Sequence, residues 1–275
     1  MFGRVGIIGV GLMGGSFSLA YKKRFPSSWI VGFARNKNSY RRLKRLKIVD
    51  EVTDDLKKLV RESELVVLAL PVKKIEEYLL KIEPFVQKKT IVIDLGSTKK
   101  NIEEVAQGLS YSKNFVGCHP LCGSEKSGAE FATSDLYKNK ICIITSSLRK
   151  DSTRKIRKMW HSLQTKTIFI NPSLHDEMMA YLSHFPHLVS FSLVKVTPSR
   201  FFSFPLRSFA ELTRTAKANI YLWSDIFLVN RNNLVKVIDQ FIAILEKFKK
   251  NLKENDAEAV FKLLKEISKK ASLLR

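Results

Sequence analysis

Two side chains near predicted strand ends are suited to proton chemistry. His119 comes at the end of the apolar segment 115–118, and Ser97 follows the apolar segment 90–94. A neutral imidazole can take a proton from a hydroxyl group near neutral pH. His119 taken alone could equally be a structural histidine, but the loop after it is rich in glycine, serine and proline. Such loops often carry function, which favours His119 as a general base.

A glycine-rich turn near the start of the chain adds a nucleotide-binding pattern. The apolar run 5–8 is followed by G-x-G-x-x-G, a combination that indicates a buried strand, a tight turn and a helix. The second glycine lets the backbone approach a pyrophosphate, and the free N–H groups of the helix face that phosphate. We therefore expect a dinucleotide cofactor. The cofactor-binding residues predicted in this turn are Gly9, Gly11, Leu12, Met13 and Gly14.

The end of the second predicted strand bears on the choice between NAD and NADP. NAD sites usually have Asp or Glu there, which accepts hydrogen bonds from the ribose 2′-hydroxyl. This chain has Ala34 at that place and Arg35 beside it. A guanidinium can bind a 2′-phosphate through two hydrogen bonds, so the pattern favours NADP with Arg35 as a ligand. A solvated Arg35, with NAD bound by the rest of the pocket, is the alternative.

Three polar side chains in the second half of the chain could recognise an anion. His184 and His187 are three residues apart, so they share one face of a predicted helix. A metal is disfavoured there because no carboxylate lies in register, and we predict no metal site. Arg214 offers a planar fork for a carboxylate. By composition alone, however, Arg214 would be a surface arginine of a helix.

The pattern of elements divides the chain in two. Strand and helix patterns alternate up to about residue 170, which is typical of a doubly wound parallel sheet. Strand patterns then disappear, and helical spacing continues over 175–196, 206–217, 231–249 and 257–271. We expect an α/β fold with a Rossmann-type domain at 1–170 and an all-helical domain at 171–275. The broad apolar faces of the last helices fit either a dimer or a domain folded onto itself.

The formal charge of +22 on 275 residues has three possible explanations. The partner could be a nucleic acid, the ligands could be small anions drawn in by the field, or the lysines could form a solvated coat. The basic residues are scattered along the chain and are not interleaved with aromatic residues in one segment. This distribution favours the coat, with some steering of anions, and we expect no nucleic-acid partner.

The apolar runs and the cysteines bear on the compartment. No apolar run approaches the length of a membrane span, so no membrane association is expected. The three cysteines form an odd set and no secretion signal precedes them. A reducing cytoplasm fits this cysteine usage.

Five segments together resemble the prephenate dehydrogenase family, which also contains arogenate dehydrogenases. They are GVGLMGGS at 9–16, DLGSTK at 94–99, HPLCGSEKSG at 119–128, SHFPH at 183–187 and LTRTA at 212–216. They span nearly the whole chain in the order of the family. The resemblance implies a dinucleotide-binding domain followed by a helical dimerisation domain, and hence a homodimer.

The resemblance also implies an activity and residue roles. The activity is the oxidative decarboxylation of prephenate to 4-hydroxyphenylpyruvate in tyrosine biosynthesis, with hydride transfer to NAD(P)+. His119 matches the catalytic histidine, Ser97 the serine that orients the substrate hydroxyl, and Arg214 the arginine that binds a carboxylate. The other implied substrate-binding residues are His184 and His187 at the substrate side chain, Ser124 and Glu125 at the pocket mouth, and Trp223 in the pocket wall.

Two alternatives remain at this stage. An arogenate dehydrogenase performs the same chemistry on the amino analogue, and the NADP pattern favours it because many arogenate-specific members of the family use NADP. A non-catalytic NADP-binding sensor or a basic nucleic-acid-binding protein belongs to a different class. The joint presence of Ser97, His119 and Arg214 argues against a sensor.

Overall fold

An eight-stranded sheet forms the centre of the computed structural model, which describes residues 1–123, 126–145, 151–204 and 206–274. The strands are β1 (Arg4–Ile8), β2 (Trp29–Phe33), β3 (Glu51–Thr53), β4 (Leu65–Leu68), β5 (Ile91–Asp94), β6 (Phe115–Pro120), β7 (Ile141–Ile144) and β8 (Lys166–Phe169). Their order in the sheet is β3-β2-β1-β4-β5-β6-β7-β8. The first six strands are parallel. This arrangement confirms the doubly wound sheet, in which the strand order reverses between β1 and β4.

The last two strands run against the other six. β7 pairs antiparallel with β6, and β8 pairs parallel with β7. A parallel connection needs a crossover of a dozen or more residues, usually a helix. In its described part, the segment between β6 and β7 contains only a short 3-10 turn, Ala129–Phe131. The chain therefore returns beside β6 in the opposite direction.

Twelve α-helices connect and follow the strands in the described residues. They are α1 (Leu12–Arg24), α2 (Lys37–Leu46), α3 (Leu56–Glu62), α4 (Val72–Ile82), α5 (Lys100–Gln107), α6 (Asp151–Ser162), α7 (Pro172–Met179), α8 (Phe185–Val196), α9 (Arg207–Thr213), α10 (Ile220–Val229), α11 (Arg231–Lys253) and α12 (Ala257–Ala271). The predicted helical stretch 175–196 corresponds to α7 and α8, joined by one turn of π-helix, Ala180–His184. Helix α10 was not predicted, because its sequence IYLWSDIFLV is apolar almost all round and has no amphipathic period.

Apolar side chains cover both faces of the sheet. On one face, Phe17 of α1 packs edge-on against Trp160 of α6, with ring centroids 5.7 Å apart. On the other face, α3, α4 and α5 bury residues such as Leu79. Trp223 and Ile226 of α10 belong to this second apolar cluster. A helix from the second half of the chain is thereby packed beside the strand ends of the sheet.

The chain divides into two compact units, Met1–Asn230 and Arg231–Arg275. The first contains the sheet and α1 to α10. The second contains α11 and α12, which contact each other, and Asp256 caps α12 by accepting a hydrogen bond from the Ala259 N–H at 2.9 Å. The domain boundary predicted at 170/171 stays a prediction. Within the described ranges, no helix is long and apolar enough to cross a membrane.

Candidate active site

A cavity of about 460 Å³ lies beyond the carboxyl ends of the central strands. Its walls come from the loops after β1, β4, β5 and β6 and from α10. In open α/β sheets ligands bind at this edge, next to the point where the strand order reverses. The predicted site residues that line the cavity are Gly11, Leu12, Met13, Ser97, His119 and Trp223.

The glycine turn between β1 and α1 has the geometry of a phosphate cradle. Gly9 has φ +98°, and a Cβ there would overlap the carbonyl oxygen of Ala69. Gly14 packs so closely that a Cβ would overlap the carbonyl oxygen of Gly9. At Gly11, in contrast, a Cβ would meet no atom within 4 Å, because this glycine faces the cavity. The open space over Gly11 fits a pyrophosphate.

The first turn of α1 completes this cradle. Leu12 and Met13 begin the helix and line the cavity. The first N–H groups of an α-helix have no carbonyl partner within the helix, and they carry its positive dipole end. An anion in the cavity therefore meets free N–H donors at the start of α1.

The end of β2 carries the residues that the sequence linked to the cofactor ribose. Ala34 is buried and donates its N–H to the carbonyl oxygen of Thr53 at 2.8 Å. Arg35 is exposed. Asn36 next to it caps α2 by accepting from the Ser39 N–H at 2.9 Å. The guanidinium of Arg35 is thus free to approach a ligand, and its role stays a prediction.

His119 is hydrogen-bonded to a second histidine. Its Nδ1 lies 2.8 Å from Nε2 of His175, a residue 56 positions later in the chain. Nδ1 of His175 lies 2.7 Å from Oδ1 of Asp176. Both partners come from α7 and are buried, whereas His119 is half-buried at the cavity wall. The remaining ring nitrogen of His119, Nε2, is the one left for a ligand.

Buried charges surround this histidine pair. The carboxylate of Asp176 accepts from the backbone N–H groups of Lys99 at 2.7 Å and Lys100 at 3.0 Å. The side chain of Lys99 is fully buried and paired with Asp94. Asp94 also accepts from the Gly96 N–H at 2.8 Å, beside Ser97. The strand end that carries Ser97 is therefore fixed to α7 by hydrogen bonds.

The electrostatic surroundings keep the histidines neutral. Burial lowers the pKa of His119 well below its usual 6.5, and electrostatic interactions with His175, Lys99 and His184 lower it further. Burial also lowers the pKa of His175, although Asp176 opposes this shift. For Asp176, hydrogen bonds from His175 and the backbone outweigh burial and lower the pKa of the carboxyl. Near neutral pH the site therefore holds neutral imidazoles beside an ionised carboxylate.

His184 and His187 both contact Trp223, as their spacing on one helix face allows. The ring of His187 stacks on Trp223 with centroids 3.6 Å apart, and the ring of His184 meets it edge-on at 6.1 Å. Nδ1 of His184 accepts from the Asn230 amide at 3.0 Å, and burial lowers the pKa of His184 to about 4. The π-helical turn that ends at His184 sets the register of these two histidines.

Three of the predicted substrate residues, His184, His187 and Arg214, do not line the cavity, and two lie outside the described structure. Arg214 is exposed, at the start of the 3-10 turn Arg214–Lys217. Its charge contributes to the lowered pKa of His187, after burial, so the two side chains are near each other. Ser124 and Glu125, which were predicted at the pocket mouth, lie outside the described residues.

Sequence reasoning gave no role to His175, Asp176 and Asn230. The adjacent pair His175 and Asp176 was a visible signal of a polar cluster. No spacing rule, however, links it to His119 or to Asn230, 54 residues after Asp176. These partners meet only because α7 and α10 pack against the strand ends of the sheet.

Comparisons with known proteins identify the family. The profile of the prephenate dehydrogenase nucleotide-binding domain matches residues 17–169, and that of the prephenate dehydrogenase dimerization domain matches residues 171–266. The chain belongs to the prephenate dehydrogenase family. It is therefore an NAD(P)-dependent dehydrogenase with a Rossmann-type domain and a helical domain, as the sequence predicted.

Relatives within the prephenate dehydrogenase family match along most of the chain. The prephenate dehydrogenase of Bacillus subtilis (strain 168) is 29% identical over 272 residues, which cover 94% of this chain and 72% of the relative. The cyclohexadienyl dehydrogenase of Zymomonas mobilis is 29% identical over 282 residues, covering 99% and 96%. The solved prephenate dehydrogenase of A. aeolicus, in complex with hydroxyphenyl propionate and NAD+, is 30% identical with a TM-score of 0.87, covering 99% and 98%.

Proposed function

We propose that this chain oxidises and decarboxylates prephenate to 4-hydroxyphenylpyruvate, with hydride transfer to NAD(P)+. The observation that carries the proposal is the shared cavity: Gly11 of the phosphate cradle, Ser97 and His119 line the same space. The family of the chain and the names of its relatives support the substrate class.

His119 acts as the general base in this proposal. Its Nδ1 is engaged with His175, so its Nε2 takes the proton from the ring hydroxyl at C4 of the substrate. Ser97 orients that hydroxyl from the adjacent strand end. A positioned base of this kind is worth about 100-fold to 10,000-fold in rate.

The remaining steps follow from the substrate. NAD(P)+, when bound, supplies the acceptor for the hydride that leaves C4. The C4–O bond becomes a carbonyl, and the bond from C1 to the carboxylate breaks. CO2 leaves, and the ring retains the electron pair of the broken bond. The ring becomes an aromatic phenolate, to which His119 returns the proton. Aromatisation makes the reaction effectively irreversible.

The substrate is a dianion, and the proposed site offers cations and donors to it. Arg214, which lies close to His187, binds a carboxylate of the substrate in this proposal. We assign His184 and His187 to the substrate side chain from the family resemblance, and both rings contact Trp223, which lines the cavity. From the family resemblance we also propose Ser124 and Glu125 as substrate-binding residues. The net charge of +22 steers anions toward the protein.

NADP is the cofactor that we favour, because Ala34 brings no negative charge to the end of β2 and Arg35 is exposed beside it. The variant Arg35→Ala tests this preference. We expect KM for NADP to rise about 10-fold, as one charge-assisted contact is lost, while KM for NAD changes little. Arg45→Ala, at the other end of α2, is the matched control. Equal effects on both cofactors would contradict a role for Arg35 at the 2′-phosphate.

We further propose that the chain acts as a homodimer in the cytoplasm. The helices α11 and α12 expose large apolar side chains, and the profile matched to this region is that of a dimerization domain. All three cysteines are free thiols, which fits a reducing compartment.

The decisive experiment follows reduced-cofactor absorbance with prephenate or arogenate, each with NAD or NADP. We expect turnover with prephenate, faster with NADP. Turnover with arogenate alone would make the chain an arogenate dehydrogenase. The NADP pattern of Ala34 and Arg35 favours this alternative. Absence of turnover in all four mixtures would contradict the enzymatic proposal and favour an NADP-binding sensor.

A further inference from the structure

A buried histidine and a carboxylate stand behind His119, on the side away from the cavity. His175 has no exposed surface, and Asp176 is 4% exposed. Nδ1 of His175 lies 2.7 Å from Oδ1 of Asp176, and Nδ1 of His119 lies 2.8 Å from Nε2 of His175. The three groups therefore form a continuous line: carboxylate, imidazole, imidazole.

The chemistry of these groups determines where the protons lie. An ionised carboxylate only accepts hydrogen bonds, so Nδ1 of His175 carries a proton and donates it to Asp176. A neutral His175 then has a bare Nε2, which accepts from the Nδ1–H of His119. Nε2 of His119 is thereby left without a proton, in the form that can remove one from a hydroxyl group.

The opposite arrangement would leave the base inactive. If His175 donated through Nε2, Nδ1 of His119 would have to accept, and the proton of neutral His119 would lie on Nε2. That nitrogen could not then accept the proton of the substrate. A wrong tautomer of this kind can cost about 10,000-fold in kcat in an enzyme that uses a histidine base.

We propose that His175 and Asp176 are positioning residues, which hold His119 in the Nδ1–H tautomer and stabilise its protonated form. The inference rests on the proposed function, in which His119 is the base. After proton transfer, the His119 imidazolium keeps donating from Nδ1 to His175, and the negative charge of Asp176 lies behind that neutral ring.

The same carboxylate also fixes the segment that carries Ser97. Asp176 accepts from the backbone N–H groups of Lys99 and Lys100, at the start of α5. Those two residues follow Ser97 closely in the chain. A single carboxylate from α7 thus joins the strand end of Ser97 to the hydrogen-bonded line behind His119.

The kinetic test compares two replacements of His175. His175→Leu removes the acceptor for the Nδ1–H of His119, and we expect kcat to fall at least about 10-fold, with KM within about 3-fold. In His175→Gln the amide oxygen can take the place of Nε2 and accept from His119, so kcat should recover to within about 3-fold of the wild type. His161→Leu, on the exposed side of α6, is the control and should leave kcat unchanged. Rescue by glutamine distinguishes positioning from a merely structural role.

Nitrogen NMR of the full-length protein labelled at its five histidines tests the tautomer without turnover. We expect His119 and His175 in the Nδ1–H form in the wild type, and His119 shifted toward Nε2–H in His175→Leu. A wild-type His119 with its proton on Nε2, or a His175→Leu variant with wild-type kcat and tautomer, would overturn the inference. A wild type that turns over no substrate would instead contradict the proposed function, while the NMR spectra still decide the tautomer.

Discussion

At the scale of single residues, the proposed chemistry depends on one imidazole whose environment keeps it neutral. Burial and the nearby positive charge of Lys99 lower the pKa of His119, so its base form is populated throughout the neutral range. His175 occupies Nδ1, which restricts proton exchange with the substrate to Nε2. The role of this histidine can therefore be tested by a replacement that preserves the Nδ1 contact and removes Nε2.

Asparagine is such a replacement, because its amide N–H can donate to His175 as Nδ1–H does. We expect His119→Asn to lower kcat about 100-fold to 10,000-fold, with little change in KM, since the lost interaction acts in the transition state. Initial rates of cofactor reduction under saturating substrate measure this effect. The exposed His161→Asn is the matched control. An unchanged turnover number would remove His119 from the mechanism.

At the scale of elements, the turn from β1 into α1 assigns different tasks to its glycines. Gly9 adopts a positive φ and lies against the carbonyl of Ala69, whereas Gly11 opens onto the cavity. The sequence predicted the task of Gly11, since the second glycine of the motif lets the backbone approach a pyrophosphate. Because Gly9 is crowded and Gly11 is open, replacing each one separately distinguishes an effect on folding from an effect on cofactor binding.

Replacement by alanine should therefore affect stability at Gly9 and cofactor binding at Gly11. We expect Gly9→Ala to cost about 1–3 kcal/mol of unfolding free energy or more, because of backbone strain and overlap with Ala69. Gly11→Ala should leave the thermal midpoint nearly unchanged but weaken dinucleotide binding about 10-fold or more, because its methyl group occupies the cradle. Thermal unfolding and cofactor titration measure the two effects. Equal destabilisation by both variants would show that Gly11 is structural.

At the scale of the whole molecule, the buried histidines couple stability to pH. His184 is 1% exposed, and its Nδ1 accepts a hydrogen bond from Asn230, which requires an unprotonated nitrogen. Its pKa is about 4 in the folded chain and 6.5 when unperturbed. Between these two pH values the unfolded chain therefore binds more protons than the folded chain. The contribution of neutral His184 to the free energy of unfolding is fully present above pH 6.5 and is lost as the pH falls through about 4.

His184→Asn isolates this contribution, because the asparagine oxygen can still accept from Asn230 but does not titrate. We expect the wild type to lose up to about 1.4 kcal/mol of unfolding free energy per pH unit through His184 in this acid range. In the variant, the free energy of unfolding should fall less steeply with pH, by that amount per pH unit. Denaturant unfolding at a series of pH values provides the comparison. Parallel pH dependences of the two proteins would contradict the assignment.

The oligomeric state is the second property of the whole molecule that can be tested. Helix α12 exposes Phe261 and Leu264 at 66% and 50%, a large apolar surface for a helix in water. We expect the wild type to sediment at twice the mass of one chain, and Phe261→Glu combined with Leu264→Glu to sediment as a monomer. Lys262→Glu, at an adjacent exposed position, is the control and should stay dimeric. A monomeric wild type would contradict the proposed homodimer.

The sequence alone determined the local structure and much of the chemistry. The period of apolar residues and the glycine spacing set the strand, turn and helix at residues 4–24, since these features depend on neighbours along the chain. The five family segments predicted Ser97, His119 and the pair His184 and His187 as site residues, and Ser97 and His119 line the cavity. Helix α10 escaped prediction because it is apolar almost all round, although it carries Trp223.

Only the tertiary structure decided the partners of those residues. The hydrogen bond between His119 and His175 joins positions 56 apart, and the Asn230 amide meets His184 across 46 positions. Such contacts depend on how α7 and α10 pack on the strand ends. The antiparallel return of β7 was likewise decided by the path of the chain between β6 and β7, which no local period records. Backbone conformation is encoded locally, whereas the proton state of the site arises from side chains that folding brings together.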